Sequence, residues 1–302
     1  MSRKVKRNVG VSIKTRLLQF SKDSQLDYMK ILVRYLHERL LYRVSISAYR
    51  EKLLLKGSSL LYAHERWAAR PTLDIDLLGY GINNSEDNIR SIMTDICQLE
   101  CPDDGVTFDA ESIHLEPIAV EKKYPGVCVT VEAHLDSIKQ AVSIDIGFGD
   151  VITPQPIPLD YPTILKDIPE ANLMAYSLET LIAEKFHAMV DRDEQNSRMK
   201  DIYDVYQLFL KNAVNTELLK EAIENTFRNR GMCYHEHLHL FDEQFATNSD
   251  RNKRWKAFLR KMKIPDTIEF EDVMQVIKDN LQRYWNAELL TAEEHVQVDN
   301  DL

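Results

Sequence analysis

Hydrophobic residues in the first half of the chain alternate between helical and strand-like spacing. Residues 22–50 repeat apolar side chains every three or four positions, which predicts one or two helices. A leucine run follows at residues 52–57 and predicts a short buried strand, and Pro71 ends the helix predicted after it. The other predicted helices span residues 58–69 and 84–100, and the other predicted strands span residues 73–79, 112–120, 126–135 and 140–150.

The second half of the chain has a mostly helical pattern. Residues 151–165 contain four prolines and predict a crossover between two lobes rather than a helix. The helices predicted beyond it span residues 177–190, 199–211, 215–229, 250–262 and 269–286, and the acidic tail at 292–302 is expected to fray. We therefore predict an α+β fold, with an α/β lobe at 1–160 that begins with a helical lead-in and carries a small mixed sheet, and a helical lobe at 161–302.

Charge is spread unevenly along the 302 residues. Residues 1–56 hold 14 Lys and Arg against 4 Asp and Glu, or about +10, whereas the net charge of the whole chain is −10. An acidic protein is not a general nucleic-acid binder, but a basic N-terminal region could hold phosphates or RNA locally. The equally weighted alternative is that this region docks on acidic parts of its own chain or of a partner.

The remaining composition predicts a cytoplasmic protein without a membrane span. No apolar run approaches the roughly 18 residues of a membrane helix, and the basic N-terminus lacks the apolar stretch of a secretory signal. Four cysteines without close pairing are typical of reduced thiols. The alternating His235, His237 and His239 are compatible with a zinc site, although a solvated stretch is the favoured interpretation.

Three aspartates are candidates for a metal site. Because side chains alternate along a strand, Asp74 and Asp76 share one face while Ile75 points to the core, and Asp145 takes the corresponding outward position in its own strand. Carboxylates gathered on one sheet face repel one another, and a divalent cation relieves that repulsion. Oxygen ligands suit Mg²⁺, which also binds phosphates and can assist an in-line phosphoryl displacement.

A glycine-serine turn precedes these aspartates and is a candidate phosphate site. Gly57 ends a strand, and the N–H groups at the start of the next helix can bind an anion. Ser58 and Ser59 can cap that helix or donate hydrogen bonds to a phosphate. No GxxxxGK[ST] motif is present, so the turn is not a Walker loop.

A lysine and an aspartate stand out in the helical half. Lys185 lies at the margin of an apolar helical stripe, and Asp201 and Asp204 share one face of a later predicted helix. Lys185 could neutralise phosphate charge, with Asp201 orienting it or acting as a base. From the spacing alone, a Lys–Asp pair that only ties the two helices together is the favoured alternative.

Taken together, these segments resemble known nucleotidyltransferases. Strand, Gly-Ser, about 15 residues, Asp-x-Asp and a later strand Asp form the pattern of the polymerase-β-like nucleotidyltransferase superfamily. More specifically, the chain resembles the AbiEii/AbiGii nucleotidyltransferase toxin family of bacterial abortive-infection and type IV toxin–antitoxin systems. The four segments that carry this resemblance, in order, lie at residues 56–79, 142–154, 178–189 and 197–208.

The resemblance implies a two-lobed, Mg²⁺-dependent enzyme that transfers a nucleoside monophosphate from an NTP to an acceptor. Acceptors in such families include tRNA 3′ ends and protein side chains, and the basic N-terminus favours RNA. A cognate antitoxin protein is an implied partner. By position, the implied metal ligands are Asp74, Asp76 and Asp145, the nucleotide-binding residues are Lys56, Gly57, Ser58, Ser59, Arg70 and Lys185, and the catalytic residues are Asp74, Asp76, Lys185 and Asp201, with Asp201 as base or as partner of Lys185.

Two other functions remain open from the sequence. Many relatives have Gly-Gly where this chain has Gly57-Ser58, although serine is an accepted alternative in the superfamily. A catalytically silent nucleotide- or RNA-binding protein would be expected to lack one of the metal aspartates, and none is missing. A nucleotidyltransferase that modifies a small molecule would share the Gly-Ser and Asp-x-Asp motifs but would less often carry the Lys-Asp-x-x-Asp helix.

Overall fold

The computed structural model describes residues 8–118, 126–265 and 267–290. The end of one predicted strand, at 119–120, and the whole of the acidic tail, at 292–302, lie outside the described residues. Two compact units divide the chain: unit 1 comprises residues 1–149 and 156–175, and unit 2 comprises residues 150–155 and 176–302. The division predicted at residue 160 from the sequence stays a prediction.

Unit 1 is built on a seven-stranded mixed sheet with the strand order β3-β4-β5-β2-β1-β7-β6. Strand β1 pairs antiparallel with β2 and parallel with β7, and β2 pairs parallel with β5. The strands are β1 (Leu53–Leu55), β2 (Asp74–Gly79), β3 (Val106–Pro117), β4 (Gly126–Leu135), β5 (Ile138–Phe148), β6 (Ile157–Tyr161) and β7 (Ala171–Ala175). The helices of unit 1 are α1 (Val9–Ser24), α2 (Tyr28–Ile46), α3 (Gly57–Glu65) and α4 (Glu86–Cys97).

The core of unit 1 follows from the alternation of side chains along its strands. On β5, Val142, Ile144 and Ile146 are buried, while the residues between them are half-buried on the opposite face. Helix α2 packs on β7 and α4, α4 packs on β3, and α3 packs on β2. The half-buried face of β5 carries polar side chains, among them Ser143 and Asp145.

The α+β fold class is confirmed, but three elements of unit 1 were not predicted. Helix α1 begins at Val9, where the Asn8 side chain caps it by accepting from the N–H of Val11 at 3.2 Å. Strand β6 lies within the segment 151–165, where a crossover was expected, and β7 follows it in a stretch for which no element was predicted. Pro158 fits β6 because this strand is at the edge of the sheet, where a missing N–H costs no ladder hydrogen bond.

Unit 2 is helical and has its own core. Helix α5 packs against α6 and α7, α6 packs against α9 and α10, and Phe186 contacts Phe227 with ring centroids 5.4 Å apart. Trp255 is fully buried and donates to the carbonyl of Ile268 at 2.7 Å. The helices of unit 2 are α5 (Leu178–Val190), α6 (Met199–Lys211), α7 (Thr216–Asn229), α8 (Glu243–Thr247), α9 (Ser249–Met262), α10 (Phe270–Leu281) and α11 (Ala287–Leu290). Within the described ranges, no helix has the length and apolarity needed to cross a membrane.

Candidate active site

The turn between β1 and α3 is held against β2 by Asp76. The backbone N–H of Ser58 donates to Asp76 Oδ2 at 2.9 Å, and the N–H of Lys56 donates to the Asp76 carbonyl at 3.0 Å. The Asp76 carboxylate therefore lies at the N-terminus of α3, where the helix dipole favours a negative charge. The structure thus brings together the Gly-Ser turn and the second aspartate of the Asp-x-Asp pair.

Gly57 makes this close approach possible. Its φ is +58°, a left-handed conformation that costs little only for glycine. A β-carbon at this position would lie 2.5 Å from Asp76 Cγ and 2.7 Å from Asp76 Cβ, and closer still to Oδ2. No L-residue with a side chain fits without moving the turn away from β2.

The three candidate metal ligands lie on two adjacent strands. Asp76 of β2 is directly opposite Asp145 of β5 in the parallel pairing, and Asp74 is opposite Ser143. All three aspartates are half-buried, whereas Ile75 and Ile144 on the other face are completely buried. The strand register therefore places Asp74, Asp76 and Asp145 on the same, partly accessible face of the sheet.

Cys128 is a neighbour of this face that the sequence did not reveal. It lies opposite Asp145 in the antiparallel β4–β5 pairing, and its Sγ is 3.4 Å from Ser143 Oγ. Burial raises the pKa of the Cys128 thiol, and the Asp145 and Asp74 carboxylates raise it further. The thiol is thus kept neutral beside the aspartates. Alternation in β4 indicates which face Cys128 takes, but only the strand pairing identifies its neighbours.

The other residues predicted at the turn differ in exposure. Arg70 is 8% exposed, and its guanidinium donates to Ser58 Oγ at 2.6 Å. Ser59 is fully buried, and its hydroxyl donates to the Asp74 carbonyl at 3.2 Å. Lys56 is half-buried. Arg70 and Ser58 therefore form a contiguous polar group, whereas Ser59 ties α3 to β2.

In unit 2, Lys185 lies between two carboxylates. Its Nζ is 2.9 Å from Asp201 Oδ1 and 2.8 Å from Asp204 Oδ2. Lys185, Asp201 and Asp204 are 7%, 6% and 2% exposed. The Lys185–Asp201 contact joins α5 to α6 and fits both an oriented catalytic lysine and a purely structural tie. The structure adds Asp204 as a second partner of Lys185.

A second ionic network in unit 2 was not anticipated from the sequence. Arg230 Nη2 is 2.9 Å from both Asp150 Oδ1 and Glu184 Oε1, and the Tyr176 hydroxyl donates to Asp150 Oδ2 at 3.1 Å. Burial raises the pKa of Tyr176 well above its usual range, and the Glu184 and Asp150 carboxylates add to this effect. The phenol therefore stays protonated and fixes Asp150 after β5. No local pattern in the sequence links Glu184 to Arg230.

Much of the basic charge in the N-terminal region is used inside unit 1. Arg34, Arg39 and Arg43 are 5%, 0% and 1% exposed, and Arg43 Nη1 is 2.8 Å from Asp104 Oδ2. Arg34 donates to the Tyr161 hydroxyl at 2.8 Å, and both Arg39 Nη1 and Nη2 donate to a backbone carbonyl. These contacts support the alternative in which the basic region binds polar and acidic groups of its own chain. An RNA acceptor stays a prediction.

Three solved structures are similar to this chain over most of its length. A Helicobacter pylori protein provisionally named a nucleotidyltransferase is 14% identical, with a TM-score of 0.49, covering 89% of this chain and 100% of that one. JHP933 from Helicobacter pylori is 14% identical, with a TM-score of 0.48, covering 86% of this chain and 93% of that one. An antigenic nucleotidyltransferase-like protein from Paracoccidioides brasiliensis is 9% identical, with a TM-score of 0.30, covering 92% of this chain and 98% of that one.

The sequence itself matches one family over most of its length. No curated protein matches the chain significantly. The family profile described as nucleotidyl transferase AbiEii toxin, type IV TA system, matches residues 39–276, which include every predicted site residue. The family resemblance predicted from the four sequence segments is confirmed. The chain therefore belongs to the AbiEii nucleotidyltransferase toxin family of type IV toxin–antitoxin systems and is a nucleotidyltransferase.

Proposed function

We propose that the protein is a Mg²⁺-dependent toxin that transfers a nucleoside monophosphate from an NTP to an RNA acceptor, with tRNA as the favoured class. The observation that carries this proposal is the hydrogen bond from the Ser58 N–H to Asp76 Oδ2, since Asp76 is also directly opposite Asp145 on the neighbouring strand. It joins the predicted phosphate site to the predicted metal ligands. Membership of the type IV toxin–antitoxin family implies an antitoxin partner and an NTP substrate.

The aspartate face suits a divalent cation of the magnesium type. Asp74, Asp76 and Asp145 offer carboxylate oxygens, the donors that Mg²⁺ prefers, on one half-buried face of adjacent strands. Nucleotidyltransferases generally use divalent metal ions, and this donor set fits one. When bound, the ion supplies positive charge to the triphosphate and to the departing pyrophosphate.

The residues of the turn have separate roles in this proposal. Ser58 and Arg70, which share a hydrogen bond, contact the triphosphate, and Lys56 adds a further cation. Gly57 keeps the turn against Asp76, and the buried Ser59 hydroxyl holds α3 to β2. These groups position the NTP, and such positioning with charge stabilisation accounts for most of the catalysis of phosphoryl transfer.

The reaction forms one bond and breaks one bond at the α-phosphorus of the NTP. A hydroxyl oxygen of the acceptor bonds to this phosphorus while the bond to the bridging oxygen of pyrophosphate breaks. The hydroxyl proton passes to a base, and pyrophosphate keeps the electron pair of the broken bond.

We assign to Lys185 the neutralisation of phosphate charge. We assign to Asp201 and Asp204 the positioning of Lys185, because both carboxylates contact its ammonium group. The contact with Lys185 favours this positioning role for Asp201 over that of the base.

The proposal is tested by incubating the full-length protein with total RNA and each α-labelled NTP in Mg²⁺. We expect wild-type protein to label a discrete RNA species, and we expect Asp76→Asn or removal of Mg²⁺ with EDTA to abolish labelling. Asp160→Asn is a matched control, because Asp160 is an exposed strand carboxylate whose Oδ1 accepts from Asn172 at 2.6 Å. Equal labelling by wild type and Asp76→Asn would overturn the proposal, as would transfer that persists in EDTA.

A further inference from the structure

The histidine-rich segment of unit 2 brings three metal-binding side chains together. One ligand atom from each of His237, His239 and Asp242 lies within 4.8 Å of the others. His237 Nε2 is 3.5 Å from Asp242 Oδ2, and the His237 and His239 ring centroids are 4.3 Å apart. The segment that we expected to be only a solvated alternating stretch therefore folds into a compact cluster of two imidazoles and a carboxylate.

The spacing of these atoms fits a single zinc-like ion. Zinc–nitrogen and zinc–oxygen bonds are about 2.0–2.2 Å, so two ligands of a tetrahedral site are roughly 3.3–3.5 Å apart. The distance between His237 Nε2 and Asp242 Oδ2 already has this value. Imidazole nitrogen favours zinc and its transition-metal neighbours over Mg²⁺, so this cluster and the all-carboxylate face of unit 1 differ in metal preference.

Asp193 supplies the support that histidine ligands usually have. Its Oδ2 is 2.8 Å from His239 Nδ1, and its Oδ1 accepts from the N–H of Leu240 at 2.9 Å. A carboxylate that accepts from one ring nitrogen fixes the tautomer and the orientation of the ring, and the other nitrogen is then presented to a metal. Because Nδ1 of His239 bonds to Asp193, Nε2 is the ring nitrogen that can bind the metal.

A solvent-accessible cleft provides a path for an ion. His237 and Asp242 line a cleft of about 400 Å³ together with Glu236, Glu243 and Lys278. Lys278 Nζ donates to the Phe241 carbonyl at 2.9 Å. The two glutamates add negative charge near the cluster, which favours the approach of a cation.

We propose that His237, His239 and Asp242 bind one zinc-like divalent ion, with a water molecule as the fourth ligand and Asp193 as the orienting carboxylate. Asp193 lies in the turn between α5 and α6, so its hydrogen bond with His239 links this turn to the segment that precedes α8 and carries the three ligands. This site is independent of the proposed nucleotidyl transfer, since it shares no residue with the aspartate face.

The test uses untagged full-length protein, because an affinity tag of histidines would itself bind metal. Co²⁺ is titrated into the protein with Mg²⁺ in excess, visible absorption reports imidazole coordination, and Zn²⁺ is then added as a competitor. We expect one Co²⁺ per chain, displaced by Zn²⁺, and loss of this binding in His237→Ala and His239→Ala. Asp193→Asn is expected to keep the stoichiometry and to weaken binding by about 10- to 100-fold.

His114→Ala is the matched control. His114 is exposed and its Nε2 is 3.0 Å from Glu116 Oε1, so it is a histidine–carboxylate pair in the other unit that belongs to no three-residue cluster identified in the described part of the chain. The control is expected to bind Co²⁺ like wild type. Binding that survives His239→Ala, or that is lost equally in His114→Ala, would overturn the proposal. Circular dichroism of each variant verifies that the fold is retained, as expected since His114 and His237 are exposed and His239 is half-buried.

Discussion

Replacing Gly57 with alanine adds one methyl group at the point where the turn and β2 come closest. The positive φ of Gly57 by itself costs an alanine about 1–2 kcal/mol. The new methyl carbon would also lie 2.7 Å from Asp76 Cβ, whereas carbon atoms in favourable contact are about 3.5–4.0 Å apart. Rotation of the Asp76 side chain does not move its Cβ, so the backbones must separate by roughly 1 Å.

That separation breaks the hydrogen bond from the Ser58 N–H to Asp76. A hydrogen bond to a charged group contributes about 1.5–3 kcal/mol. Together with the backbone cost, the total loss for Gly57→Ala is about 2.5–5 kcal/mol in the free energy of unfolding. A displacement of 1 Å in a catalytic group can lower the rate about 100-fold. We therefore expect Gly57→Ala to lose both stability and nucleotidyl transfer.

Gly81→Ala separates the two causes. Gly81 has a φ of +62°, and a β-carbon there meets nothing within 4 Å. It therefore carries the same backbone cost, about 1–2 kcal/mol, without the collision. Urea unfolding and labelled-NTP transfer are compared for both variants. If Gly57→Ala matches Gly81→Ala in stability and activity, the close approach to Asp76 has no energetic role and our reasoning is refuted.

Two further predictions concern buried charges. Lys185→Met should lower the free energy of unfolding by about 3–5 kcal/mol, because the carboxylates of Asp201 and Asp204 stay buried without the lysine. Adding Asp201→Asn and Asp204→Asn should restore stability to urea but not nucleotidyl transfer. If transfer also recovers, Lys185 is only a structural tie. Burial raises the pKa of Glu38 from 4.5 to about 8. Between these pH values Glu38 holds a proton in the folded protein but not in the unfolded chain. The free energy of unfolding should therefore fall as pH rises, by up to about 1.4 kcal/mol per pH unit. Glu38→Gln should remove this contribution when urea unfolding is compared at several pH values across that window, and an unchanged pH dependence would contradict the assignment.

Local patterns predicted most of the elements around the site. β1, α3 and β2 follow from a leucine run, a helical stretch that ends near Pro71, and strict alternation through Asp74 and Asp76. Such signals depend on a few neighbouring residues, so they can be recognised without knowledge of the tertiary arrangement. Helix α1 was missed because its sequence, with Gly10 in the first turn, has weak helical periodicity and buries only three residues.

Buried charges were less accessible to prediction. The charge count of the N-terminal region suggests a surface that could bind phosphates, yet Arg34, Arg39 and Arg43 of α2 are in the core of unit 1. A charged side chain enters a core only when partners such as Asp104 or a backbone carbonyl satisfy it. Those partners lie about 60–130 residues away in the chain, so no local pattern indicates them.

The amino-acid sequence alone determined the family, the Gly-Ser turn, and the face of each strand that its aspartates occupy, because alternation and motif spacing are local properties. Only the tertiary structure decided that Asp145 is opposite Asp76, that Cys128 is their neighbour, and that Asp193 orients His239. Strand register and contacts between distant segments result from the packing of the whole unit, and packing depends on many residues at once.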